Sequence, residues 1–472
     1  MARLEFALDP ADLPRLARWP GLRAGRSFPV DLTWHDTVDG ALEDQGLALC
    51  VYPTGATLSV FDAAASASPP TVLAEARRPA LLGRRLPDDL VVVARLRGQR
   101  RTLRPETPGG VEIRVLDSPG AGPGQLQACR VTLDGPAPLL TPMAVAIAQD
   151  LRLRVPRASL ARQVLAGARG HPLPPRALGA PQVDAGLTVT DSLAAIAGHL
   201  LDVMLHWGEL APTARTPEPV HQMRVATRRL RSALSIYRKV ASCPELNALA
   251  APLKLCAARL GKARDWDVFI DGTGARLADT FPGDKRCAAM MRAAGRRRRD
   301  AYAELRIFLE GPDFRTLTAS VACAVALRPW DDTAPAETMQ QDTAVFAAAV
   351  LTKRMRRVKT DGQGIADLPI PALHELRKDC KRLRYAAEFF SSLFPQKRVK
   401  RFVNRLADLQ EELGLLNDTA AVSGLMAQLG RMERSYAAGL VEGFSAANAG
   451  TARARIVAAW KRFRLARAFW IG

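Results

Sequence analysis

Lysine is absent from the first 238 residues of this 472-residue chain, and Lys239 is the first. Any anion met by the N-terminal part must therefore be held by arginine. The seven cysteines (Cys50, Cys129, Cys243, Cys256, Cys287, Cys323, Cys380) stand singly, odd in number and without a C-x-x-C pair. That argues against a disulfide framework or zinc site and fits reduced thiols. No apolar run approaches the roughly 18 residues of a membrane span, and no charged n-region followed by an apolar h-region opens the chain. A cytoplasmic location is expected. Acidic residues also fall short: 67 Lys and Arg against 47 Asp and Glu leave a net charge of +20 and a pI near 10.4. The surplus points to a polyanionic partner, whether nucleic acid, acidic lipid or a phosphate polymer.

What is present argues for a folded protein, with 48% apolar and 24% charged residues and length for about two or three domains. Residues 1–180 carry 22 basic and 17 acidic side chains, the remainder 45 and 30, so the cationic work lies in the C-terminal part. Up to about residue 168, short alternating or apolar runs (Ala48 to Tyr52, Thr57 to Phe61, Leu90 to Leu96, Val111 to Leu116, Cys129 to Leu133) are separated by Gly, Pro and Asp clusters. They read as strands, with helical pieces at Pro10 to Trp19 and Pro142 to Asp150. An α+β domain or antiparallel β barrel is expected.

The pieces FALDPADLPRL, WHDTVDGALEDQGLALCVY and ASLARQVLAG, in that order, resemble the framework of the CYTH family of triphosphate tunnel enzymes. The resemblance implies an antiparallel barrel over residues 1–168, but a degenerate one. The family's E-x-E-x-K signature, which holds metal and phosphate, falls on Met1, Arg3 and Glu5. Two tunnel arginines fall on Cys50 and Tyr52, a lysine on Leu160, and an acidic strand on CRVTL (residues 129–133). A CYTH-like scaffold without triphosphatase activity follows, with no metal or other cofactor expected. Arg95, Arg97, Arg100, Arg101 and Arg104 are either an anion grip or a solvated face. The Pro/Gly/Ala-rich stretch 169–188 reads as a linker, with His171 a loop residue.

From residue 189 to 472 the periodicity becomes helical. Helices are expected at about 191–209, 218–241, 244–260, 285–309, 338–358, 371–393, 400–413, 419–429 and 452–463, an all-α bundle. A repeat lies inside it, about 217–270 and 370–423. Val220 to Lys239 contains H-x-x-R-x-x-x-R-R-L-R from His221, and H-x-x-R-x-x-x-K-R-L-R returns 153 residues later from His374. Leu260-Gly261-x-x-Arg264-Asp265 returns at the same offset as Leu413-Gly414-x-x-Asn417-Asp418. The second of these reads as a helix stop and restart, and Asn417 in place of Arg264 should weaken its hold on an anion. Two equivalent units imply a pseudo-twofold arrangement.

At about 100° per residue, His221, Arg224, Arg228 and Arg231 share one ridge, with Arg229 at its edge. Met223, Ala226, Leu230, Ala233, Leu234 and Tyr237 form an apolar stripe on the other side. In the copy the ridge is His374, Arg377, Lys381 and Arg384, with Arg382 at the edge, and the stripe is Leu376, Cys380, Leu383, Ala386, Ala387 and Phe390. Like charges three and four residues apart destabilise a helix, and neither ridge contains an acid to relieve them. Further ridges occur at Arg292, Arg296 and Arg299, and at Lys353, Arg356 and Arg357. A solvated face is the competing explanation; the repeated, uncompensated arrangement favours an anion site.

VHQMRVATRRLRSAL, LGKARDWDV, LHELRKDCKRLRYAAEFF and LQEELGLLND resemble the CHAD family of α-helical domains. That resemblance implies two pseudo-symmetric helical bundles around a basic groove or pore that binds inorganic polyphosphate, with recruitment to polyphosphate granules as a corollary. The contacts it implies are His221, Arg224, Arg228, Arg231, His374, Arg377, Lys381 and Arg384, with Arg229, Arg382, Lys254 and Arg292 beside them. Two rival functions are a CYTH-type triphosphatase or polyphosphate hydrolase, and a nucleic-acid binder. The first lacks its E-x-E-x-K cluster. The second lacks interleaved aromatics and any helix-turn-helix, RNA-recognition or finger signature. Two histidines without a Cys or carboxylate set do not make a metal site; they fit better as donors to phosphate, while His199 and His206 fit as packing residues. Arginines around His221 and His374 should depress their pKa values and bound phosphate should raise them. Polyphosphate affinity is accordingly expected to be higher at pH 6 than at pH 8, and a flat titration profile would exclude the histidines from binding.

Overall fold

Period-two alternation of apolar and polar residues builds the N-terminal sheet in the computed structural model. The model describes residues 2–52, 55–60, 87–120, 127–171, 173, 176, 178–339, 341–430 and 435–471, with only the backbone at 52, 55–60, 338–339, 415–421 and 448–451. Strand β1 (Ala2–Leu8) turns Leu4, Phe6 and Leu8 inward. It sets Leu4 opposite Leu133 and Phe6 opposite Val131 of β7 (Gln127–Gly135). The remaining strands are β2 (Leu22–Asp36), β3 (Leu47–Tyr52), β4 (Gly55–Val60), β5 (Val91–Pro105), β6 (Glu112–Pro119) and β8 (Leu153–Arg154). Their order is β4-β3-β2-β5-β6-β7-β1-β8, every neighbouring pair antiparallel. The expected antiparallel domain is thus a curled sheet, a half-barrel with β4 and β8 at its open edges among the described residues.

Short helices α1 (Leu13–Leu16) and α2 (Ala41–Asp44) decorate the sheet. Helix α3 (Ala137–Asp150) packs on β1 and β7, and α4 (Leu160–Ala168) on β5. Ser159 caps α4 by accepting from the Arg162 amide at 3.0 Å, which satisfies a backbone donor that the first turn leaves open. The helical part runs α5 (Val189–Leu210), α6 (Glu218–Tyr237), α7 (Pro244–Ala248), α8 (Ala250–Phe269), α9 (Ala275–Thr280), α10 (Lys285–Glu310), α11 (Pro312–Leu327), α12 (Ala336–Met339), α13 (Thr343–Asp361), α14 (Ile370–Phe389), α15 (Gln396–Ala427) and α16 (Tyr436–Arg464). Thr188 and Asp191 form a reciprocal capping box at the start of α5. No helix of the described residues is long and apolar enough to cross a membrane.

Three differences from the sequence reading have physical causes. Helix α11 went unread because its residues from Phe314 to Val325 are mostly buried on all sides, leaving no amphipathic period to detect. The stretches 400–413 and 419–429 are one helix: Gly414 neither stops nor restarts it, and α15 runs through. Gly261 likewise sits inside α8. A mid-helix glycine costs only about 1 kcal/mol relative to alanine, which tertiary packing easily outweighs. Of the earlier expectations, Met1, Phe61, linker positions 172, 174, 175 and 177, and the side chains of Asn417 and Asp418 lie outside the described residues.

Sheet and helices share one continuous apolar core, from Leu4 and Phe6 through Ile147 of α3 and Leu317 of α11 to Leu200 of α5. Arg315 on α11 fastens the junction. Its Nε donates to the Ala148 carbonyl at 3.0 Å, its Nη2 to that of Gln149 at 3.4 Å, and its Nη1 to that of Glu310 at 2.9 Å. These carbonyls end α3 and α10, where helices leave acceptors unsatisfied and favour a cation. Arg315→Ala should cost about 1–3 kcal/mol of stability, measured by urea unfolding. Because the core is shared, tryptophan fluorescence and helical circular dichroism should report one coincident transition in the wild-type protein.

Candidate functional site

The apolar stripes place α6 and α14 side by side. Met223, Ala226, Leu230, Ala233 and Tyr237 are buried on one, with Leu234 half-buried; Leu376, Cys380, Leu383, Ala386, Ala387 and Phe390 are buried in the other copy. The two helices touch, and residues equivalent in the repeat meet. The rings of Tyr237 and Phe390, 153 positions apart, lie 6.4 Å from centroid to centroid, with Phe346 of α13 at 5.1 and 6.1 Å from them. Arg229 of α6 donates from Nη2 to Glu388 Oε2 of α14 at 2.5 Å.

This contact brings the two ridges together. His221, Arg224 and Arg228, and in the copy His374, Arg377, Lys381 and Arg384, are half-buried; Arg231 is exposed. Burial pushes the Lys381 ammonium down to about 7, and the charges of Arg377, Arg228, Arg224 and Arg384 push the same way. Two of those arginines belong to α6, so the ridges converge on one cationic patch. Lys381 and Arg228 are themselves repeat equivalents. His221 is held below the usual histidine range by burial first and then by Arg264. Arg224 is lowered by its burial, against the pull of Asp265.

Carboxylates outside the sequence ridges correct the expectation of no compensation. Asp265 of α8 lies 3.6 Å from Arg224, and Glu388, one turn beyond Arg384, lies 3.4 Å from it. Among the described residues no ion pair forms to Arg228, Arg231 or Lys381. The patch thus keeps a rim paired with acid and a centre that forms no ion pair, with Asp265 acting on Arg228 only at longer range. Arg264, Asp265 and Glu388 belong to its electrostatics and were absent from the sequence-derived set. The repeated L-G-x-x-[RN]-D motif was the available signal for the first two.

Not every expected residue joins the patch. Arg382 is exposed and bonds Asp379 at 2.8 Å, in a cluster with Arg354 and Arg357 of α13. It is therefore not the counterpart of Arg229, which crosses to the other repeat. Lys254 and Arg292 are exposed on α8 and α10, and neither is among the charges acting on His221, Arg224 or Lys381. In the ridge at Lys353, Arg356 and Arg357, Arg357 is paired with Asp361 at 2.7 Å. His199 is buried, with Nε2 3.1 Å from the Gly179 carbonyl, and His206 meets Trp207 edge to face.

In the sheet most arginines are matched by acid, while Arg26, Arg100, Arg101 and Arg154 form no ion pair among the described residues. Arg3 and Arg114 share Asp134 at 2.6 and 2.5 Å, and buried Arg130 lies 3.6 Å from Glu5. Arg95 and Arg97 share Asp31, and Arg104 lies 3.8 Å from Glu112. Two of the three signature positions, Arg3 and Glu5, are thus occupied by internal ion pairs.

Residues 195–427 match the family model described as CHAD domain. Among solved structures, the CHAD domain from the plant Ricinus communis aligns at 26% identity and a TM-score of 0.55, covering 62% of this chain and 98% of that one. PptA from Streptomyces chartreusis aligns at 16% identity and a TM-score of 0.46, over 58% of this chain and 99% of that one. A comparison with curated proteins returns no match.

Lys381 carries a sign that can be tested. In the unfolded chain its pKa returns to about 10.5, so the folded protein bears a penalty for the charged amine. That penalty is full below about pH 7 and fades as pH rises toward 10.5. Lys381→Gln should stabilise the protein at pH 6 by on the order of 1 kcal/mol, allowing for solvent screening at this half-buried position. The gain should shrink by pH 9, as read from thermal melts at the two pH values.

Proposed function

Because residues 195–427 form a CHAD domain, we propose that this chain binds inorganic polyphosphate at the α6–α14 patch and does not hydrolyse it. The observation that carries the reading is the convergence of two repeat-related cationic ridges on Lys381, with no ion pair to Arg228, Arg231 or Lys381 among the described residues. Concentrating like charges in a half-buried place raises the free energy of the empty site, and a bound polyanion relieves it. His221 to Arg231 spans about 15 Å along the helix, enough to meet several successive phosphates. Arginine supplies planar two-point grips, and Lys381 a point charge that takes up a proton as the anion binds.

In this reading residues 189–472 are the binding unit, and the sheet of residues 1–168 is a scaffold. The ion pairs at Arg3 and Glu5 support the absence of triphosphatase chemistry there. Location at polyphosphate granules follows as a consequence, and would be seen as co-localisation of the tagged chain with stained granules.

The central test is binding of polyphosphate of fixed length across a salt series. Wild-type affinity should fall steeply with salt, as counterion release requires. Arg224→Ala/Arg377→Ala should lose at least about tenfold, given the worth of charge-assisted hydrogen bonds. A double variant that binds like wild type would reduce the ridges to a solvated face. Phosphate release from tripolyphosphate with magnesium or manganese would favour the enzyme reading, and displacement by duplex DNA at equal phosphate concentration the nucleic-acid one.

A further inference from the structure

Glycine within a helix needs a reason, because it gives up more chain entropy than alanine and buries no side chain. Gly261 in α8 and Gly414 in α15 are both buried and both mid-helix. Other buried or helix-end glycines in this protein make room for packing. A Cβ at Gly208 would meet the Phe314 ring at 3.2 Å, and one at Gly362 would run into the Trp460 ring. At Gly261, apart from the helix's own neighbouring backbone, the only atoms of the described residues within 4 Å of such a Cβ belong to Arg224, with Nη1 inside 3.0 Å, closer than Cβ atoms approach their neighbours, and Cζ at 3.6 Å. At Gly414 the three nearest atoms all belong to Arg377: Nη2 at 3.2 Å, Cζ at 3.7 Å and Nε at 3.8 Å. Each glycine follows its arginine by 37 positions, so the pairing occurs once in each repeat.

We propose that Gly261 and Gly414 are positioning residues, sockets whose missing Cβ lets the Arg224 and Arg377 guanidinium groups lie back against α8 and α15. This rests on the reading of the patch as a polyphosphate site. The sockets set how far those two guanidinium groups stand out from the patch, and hence the spacing of the charges that a chain of phosphates meets. Arg224 enters its socket end-on and Arg377 lies broadside over its own, so the first socket has less room to spare. Seating Arg224 there also goes with its 3.6 Å approach to Asp265, one turn further along the same helix. Helix–helix packing does not explain Gly261, because no other side chain or backbone of α6 comes within 4 Å of its position.

The test separates fold from function. Gly261→Ala should leave the helix as stable or more so, since alanine is the better helix former and the atom in the way is the tip of a flexible side chain. Its affinity for polyphosphate of fixed length should nevertheless fall by on the order of tenfold, the worth of one well-placed charge-assisted hydrogen bond. Gly414→Ala should lose less, and it serves as the second variant if Gly261→Ala does not fold. Gly424→Ala, with open space around it, should bind like wild type. In an Arg224→Ala background, Gly261→Ala should cost nothing further, because its effect passes through that arginine. Wild-type affinity in a folded Gly261→Ala, or an equal loss with and without Arg224, would overturn the socket. Absence of salt-dependent binding by the wild-type chain would instead overturn the polyphosphate reading, and the socket with it.

Discussion

The helical part depends on one contact that electrostatics opposes, the seam where α6 meets α14. Each helix brings a row of cations to it, and at short range in a half-buried setting like charges repel by several times their interaction in water. What overcomes this is apolar. Leu230, Ala233, Leu383, Ala386 and Ala387 are fully buried behind the ridges, and burying each of the two leucines is worth about 1.5–3 kcal/mol. Tyr237, Phe346 and Phe390 close one end of the seam with ring contacts. The Arg229–Glu388 bond supplies a direct charge pair between the helices. The depressed Lys381 ammonium is the residue of that opposition, a group whose charge the folded protein tolerates poorly.

The repeat explains why the seam exists at all. Two copies of a helix with one apolar stripe and one basic ridge can bury both stripes by packing about a pseudo-twofold axis, and equivalent positions then face one another near that axis. Tyr237 with Phe390, and Arg228 with Lys381, are such pairs. The symmetry fails where the copies differ in acid. Asp379 draws Arg382 toward α13, whereas Arg229 has no acid at the equivalent place and reaches across to Glu388. The copies differ at both acids, with Ala226 opposite Asp379 and Ser235 opposite Glu388, and these two differences send the equivalent arginines to different partners.

The stripes, the ridges and the 153-residue offset were legible because helical period and repetition are written in local spacing. The antiparallel β-rich character of the first part was legible in the same way. What was not legible depends on residues far apart in sequence. Helix α11 has no polar face to give it a period. Strand β2 is missing from the strands that periodicity shows, because its first half is exposed and polar and its pairing partner β5 lies about 70 positions on. Asp265 was visible as part of a motif, but its approach to Arg224 needed α8 to pack on α6. The glycines of that motif read locally as helix ends, since only the fold shows that each lies beneath an arginine.

Most strand arginines pair with acid, whereas the centre of the proposed patch forms no ion pair, a contrast that net charge alone does not show. In the sheet, Arg3, Arg114, Arg130, Arg95, Arg97 and Arg104 lie near Asp134, Glu5, Asp31 or Glu112, so positive charge there is largely spent on internal order. In the helical seam, two acids serve the rim while Arg228, Arg231 and Lys381 form no ion pair among the described residues. A surplus of +5 in the first 180 residues and +15 in the rest would look like a difference of degree. The pairing adds a distinction: a cation already matched by a carboxylate has less to offer a polyanion, whereas a half-buried cation without one gains most from its arrival.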